Sequence, residues 1–136
     1  MKTKQSWAEK LNSSKPHQVK PAPINIAGMK AGQIMLVPSA RIVDDFIRTI
    51  PKGSSIDVPT LRKKLARKYK AEVTCPITTG FHLKTVAEAA FEALENGARP
   101  QAVTPIWRVL DEHSPTTKKL SCGPAFIAAQ RAREHL

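Results

Sequence analysis

The chain has 136 residues, 41% of them hydrophobic, and its 22 Lys and Arg outnumber 11 Asp and Glu for a formal charge of +11. That length suits one compact domain with a tail, and no apolar run approaches the ~20 residues a membrane-spanning helix needs. The N-terminal stretch lacks the apolar core of a signal peptide, so a cytoplasmic protein is expected, nucleoid association included, with no membrane contact.

Residues 1–36 are rich in Lys, Ser, Pro and Gln with little periodicity, and a flexible or loosely packed basic arm is expected there. Trp7 is the exception, because "SWAEKL" can form a short helix that docks on the domain. Residues 37–136 are the expected domain. In "PSARIVDDFIRTIPKG", Ser39 is placed to cap a helix whose apolar stripe is Ile42, Val43, Phe46, Ile47 and Ile50. Pro51 and Gly53 end it.

"SSIDV" reads as a short strand. "PTLRKKLARKYK" then places Pro59 at a first helical position, with Leu61, Leu65, Ala66 and Tyr69 facing inward. Arg62, Lys63, Lys64, Arg67, Lys68 and Lys70 cover most of the rest, and the stretch itself holds no acidic partner at the four-residue spacing that neutralises a solvated helix face.

"AEVTCPITT" reads as a connector, and "TGFHLKTVAEAAFEALENG" as the clearest helix, with the stripe Leu83, Val86, Ala87, Ala90 and Leu94 and an Asn96-Gly97 C-cap. "VTPIWRVL", residues 103–110, reads as a strand, "DEHSPTTKK" as a loop, and "GPAFIAAQRAREHL" as a final helix with Phe126, Ile127 and Ala129 inward and Arg131 and Arg133 outward. The pattern is α+β and mostly helical. Two helices joined by a short connector and flanked by strands suit a winged helix-turn-helix, with a generic small α+β domain as the alternative.

Cys75 and Cys122 form no disulfide framework, and the four histidines show no zinc spacing, so neither a metal nor a cofactor is expected. The charge excess favours a polyanion, with duplex DNA the expected partner.

Three stretches in order resemble the DNA-binding domain of alkylguanine-DNA alkyltransferases, the methylated-DNA–protein-cysteine methyltransferases. "FIRTIPKGSSIDVPTLRKKLA" is similar to that family's Ile-Pro-x-Gly step into a helix-turn-helix, through Ile50, Pro51 and Gly53. "TPIWRVL" resembles its Pro-Cys-His-Arg-Val-Ile active-site strand, with Pro105, Arg108, Val109 and Leu110 in register. "CGPAFIAAQRAREHL" resembles its closing turn and basic helix. The resemblance covers about residues 38–136.

It implies a winged-helix scaffold of the alkyltransferase C-terminal type, one that has lost alkyl transfer. Ile106 stands at the position of the acceptor cysteine and Trp107 at that of its activating histidine, and a hydrocarbon side chain cannot accept an alkyl group. The resemblance places Val58 where the family has a tyrosine that rotates the lesion's phosphate. Ile77, Thr78 and Thr79 stand nearest to an arginine that fills the gap left by the flipped base.

Alkyltransferase-like proteins also lack the cysteine but carry Trp in its place, so this chain would be an outlying member. Its expected pocket residues are Val58, Ile106 and Trp107. Its expected DNA-binding residues are Arg62, Lys63, Lys64, Arg67, Lys68, Thr78, Thr79, His82 and Lys84, the last few on a recognition helix that the family places in the minor groove. Non-catalytic binding of damaged or distorted duplex is the leading expectation. A protein-interaction module with an acidic partner, and an alkyl acceptor using Cys75 or Cys122, are the alternatives.

Overall fold

In a computed structural model, the structure describes residues 5–26 and 28–136. Among these residues the fold is α+β: five α-helices and one three-stranded sheet. The elements run α1 (Trp7–Asn12), β1 (Gln18–Pro21), β2 (Ile34–Val37), α2 (Ala40–Ile47), α3 (Val58–Lys68), β3 (Val73–Thr74), α4 (Pro76–Glu95) and α5 (Gly123–Arg133).

The segment expected as an arm is built into the domain over its described part; residues 1–4 and 27 lie outside the described residues. α1 is started by a serine N-cap: Ser6 Oγ accepts from the N–H of Glu9 at 3.1 Å. Leu11, at the next helical turn from Trp7, is buried in the main core. Glu92 of α4 then holds α1 in place, accepting from the N–H groups of Trp7 at 3.1 Å and Ala8 at 3.3 Å. These are orphan donors of a helix N-terminus, so one carboxylate satisfies two of them.

β1 and β2 form an antiparallel hairpin in the register Gln18↔Val37 to Pro21↔Ile34, and β2 pairs parallel with β3 through Met35↔Val73 and Leu36↔Thr74. The expected strands are elsewhere. "SSIDV" forms no strand; its one ladder-like bond runs from the N–H of Ile56 to the carbonyl of Arg108 at 2.9 Å. Residues 103–110 are not a strand either. Pro105 opens a 3-10 turn over Ile106–Arg108, and the N–H groups of Arg108, Val109 and Leu110 close back on Pro105 and Ile106. With the N–H groups of Ile106, Arg108, Val109 and Leu110 all used locally, the segment cannot present the alternating donors of a strand ladder. The connector before α4 is shorter than expected, because Pro76 sits inside the first turn of that helix, where its missing N–H costs nothing.

The expected helices form on their stripes. Val43 and Ile47 of α2, Leu61 and Leu65 of α3, Leu83 and Val86 of α4 and Ile127 of α5 are all buried in one cluster. Ser39 caps α2, accepting from the N–H of Ile42 at 3.1 Å. Ala129 is exposed, not inward, since α5 turns only a narrow face to the core. α4 is the central element, touched by α1, α2 and the 3-10 turn. That surround buries Thr79, Thr85 and Glu88 along with its apolar stripe.

Candidate nucleic-acid interface

α3 presents the expected basic face. Asp57 caps it, accepting from the N–H of Thr60 at 2.9 Å, and its hydrogen bonds to Thr60 hold its carboxyl below the ordinary range with a small further push from Lys63. Leu61, Leu65 and Ala66 anchor one side, which leaves Lys63, Lys64, Arg67, Lys68 and Lys70 exposed on the other. Among the described residues none of these cations is in an ion pair. Arg67 and Lys68 in the last turn complement the negative end of the helix. Lys63 and Lys64 lie too far from that end for the same explanation. Arg62 is half-buried, and its Nε donates to the carbonyl of Thr74 at 3.3 Å, tying α3 to the sheet.

The residues expected on α4 separate. Thr79 is fully buried and donates to the carbonyl of Cys75 at 2.7 Å, so it cannot reach a phosphate. Thr78 donates to Cys75 Sγ at 3.3 Å. His82 is half-buried, its Nδ1 sealed without a partner, and burial lowers its pKa while the Pro38 carbonyl pulls the other way. Lys84 points away from the α3 face toward α1, with Nζ 6.0 Å from the centre of the Trp7 ring.

The three residues expected to line one pocket are likewise dispersed. Val58 borders a cavity of about 400 Å³ between the starts of α3 and α4, whose rim carries Asp57 and Asp111. Asp111 is held ionised below the ordinary range, chiefly by the N–H of His113 against a counter-push from burial. Two carboxylates against the one cation of that lining, Arg62, whose Nε is turned to the Thr74 carbonyl, make that mouth a poor seat for a phosphate. Ile106 is 2% exposed and belongs to the core, not to this cavity, so an acceptor atom at that position would be sealed from any substrate.

Trp107, also 2% exposed, turns the other way, and its indole N–H donates to Glu134 Oε2 at 2.7 Å. Glu134 also accepts from Arg108 Nε at 2.8 Å and from the N–H of Gly53 at 3.2 Å. Burial pushes its carboxyl upward, but the bonds from Arg108, Trp107 and Gly53 outweigh it and bring its pKa down to about 2. Arg108 further donates to the carbonyl of Ile50 at 2.7 Å, and Arg131, expected outward, donates to the carbonyl of Trp107 at 2.7 Å. This cluster locks the 3-10 turn between α2 and α5.

The cysteines lie apart and are free. Burial and the nearby Glu88 raise the pKa of Cys122, the opposite of what a nucleophilic thiolate needs. Among the described residues no His, Cys, Asp and Glu cluster is arranged to hold a metal, and no helix is long and apolar enough to cross a membrane.

Composition alone does not show one feature of the site. Trp7, Lys10, Phe81, His82 and Lys84 line a cleft of about 650 Å³ between α1 and α4. The isolated Trp in a polar arm and the Phe at an early turn of α4 are its sequence signals, and neither points to the other without the fold. No family model, curated protein or solved structure compared with the chain matches it.

Proposed function

We propose that the chain is a non-catalytic duplex-DNA-binding protein on a winged helix-turn-helix scaffold of the alkyltransferase-like kind. In this reading α3, the Tyr69–Cys75 connector and α4 are the two-helix unit. The observation that carries it is the α3 face, continued by Lys70, where five exposed cations stand outside any ion pair among the described residues.

Setting such charges against phosphates releases condensed counterions, which gives affinity without any base code. The first turns of α4 expose Ile77 and Phe81 where a phosphate-reading helix would expose cations, so α3 takes the main backbone contact. Alkyl transfer is not part of the proposal, since the acceptor position is a core isoleucine.

Titrating a fluorescein-labelled duplex at low salt, followed by anisotropy, tests the reading. Binding that is lost in the double variant K63E/K64E is expected. Absence of binding at low salt, or equal binding by the variant, would sink it.

A further inference from the structure

The cleft between α1 and α4 has the chemistry of a nucleotide site. Trp7 and Phe81 both line it, the aromatic surface a base would stack on. Phe81 is 71% exposed, an unusual position for a large aromatic side chain, and its aromatic neighbour among the described residues, the edge-on His82 ring at 5.8 Å, leaves it open to solvent. The charged residues lining the cleft are Lys10, Lys15 and Lys84, with His82 beside them and no carboxylate among the lining residues. Lys10 Nζ already sits 4.1 Å from the Trp7 ring centre, so cation and aromatic face are held together.

The walls are fixed before any ligand arrives. Glu92 pins the start of α1 to α4, and Ser14 Oγ accepts from the N–H of Ala40 at 2.8 Å, pinning the chain after α1 to the start of α2.

From these observations we propose that the cleft binds an unpaired nucleotide of a single-stranded nucleic acid, its base against Phe81 and Trp7 and its phosphates against Lys10, Lys15 and Lys84. A strand is favoured over a free nucleotide because the cationic surface continues beyond the cleft. Two residues past Lys15, the ring of His17 packs at a tilt against Tyr69, centre to centre 4.7 Å, which brings this segment to the C-terminal end of α3 with Lys68 and Lys70. Neighbouring phosphates of one strand would therefore meet further cations, an advantage a mononucleotide lacks. Stacking accepts any base, so little sequence preference follows. The cleft itself contains no residue of the duplex-binding face, and Lys63 and Lys64 lie outside the strand path, although Lys68 and Lys70 would serve both surfaces.

The test is quenching of Trp7 fluorescence in the full-length protein by a 12-mer of thymidylate, with thymidine monophosphate as a second arm. Trp107 is buried and bonded to Glu134, so it supplies a constant background, and W7F identifies the responding ring. Quenching by the 12-mer that disappears in W7F is expected. Affinity should weaken about tenfold or more in F81A and in K84E. K63E/K64E should lose less than F81A does, which separates failure of this site from failure of the duplex face. Because Phe81 is mostly exposed, F81A should melt like the wild type by circular dichroism. Unchanged affinity in F81A, absence of quenching, or a monophosphate that binds as tightly as the 12-mer would each overturn the proposal.

Discussion

Two sets of cations in this chain have opposite surroundings. Arg108 and Arg131 are drawn into a network with Glu134, Trp107 and the backbone of Ile50, and every charge there meets an acceptor. Lys63, Lys64 and Arg67 on α3 are in no ion pair among the described residues. The same residue types thus do two jobs: in the first region they fix an irregular turn, and in the second they stay available to an outside anion. Net charge alone cannot tell these apart; the positions of the carboxylates can.

The largest effects should come from breaking the structural region. I106A removes most of a fully packed side chain, and a loss of about 3 kcal/mol in chemical denaturation is expected. E134A leaves Arg108 and the Trp107 N–H without their shared acceptor and should cost about 3 kcal/mol. Neither substitution touches α3, so duplex binding measured well below the melting temperature should survive both.

The Glu134 carboxyl titrates near 2 in the folded chain against an ordinary value of 4.5. Its stabilising contribution is therefore complete above the unfolded value and lost as pH falls through 4.5 toward about 2. The stability gap between wild type and E134Q should be constant at neutral pH and close in acid.

Breaking the available region should reverse the pattern. K63E/K64E is expected to lower duplex affinity tenfold or more, about 1.4 kcal/mol, with the melting temperature nearly unchanged. Smaller still, S39A removes the cap of α2 and should cost about 1 kcal/mol without altering DNA binding. The smallest effect belongs to His82, whose pKa burial lowers. The unfolded chain takes up that proton first, so stability should fall as pH drops below the ordinary value of 6.5. In H82Q this acid-side loss should shrink, as read from urea midpoints at pH 7 and pH 5.

Helices were legible where a stripe and a cap agreed: Ser39 with Val43 and Ile47, Pro59 with Leu61 and Leu65, and Leu83 through Ala90 with Gly97. The sheet was not. β1 is exposed along its whole length and includes Lys20 and Pro21, so it shows no alternation, and β3 has only two residues. Their pairing depends on contacts distant in sequence.

Residues 103–110 read as a strand because a buried β-branched run looks alike in either conformation. Pro105 and the side chains of Arg108, Arg131 and Glu134 decided for a turn. The basic face of α3 was readable directly, since surface charge requires only a helix to display it. The expected grouping of Val58, Ile106 and Trp107 was not met, because Trp107 turns toward Glu134 and Ile106 into the core.

The salt dependence of duplex binding tests the central claim most directly. A plot of log affinity against log salt should fall steeply for the wild type. Its slope should be shallower by about 2 in K63E/K64E, close to one phosphate contact per removed lysine. A flat wild-type response, or identical slopes for both proteins, would show that the unpaired charges of α3 do not face phosphate.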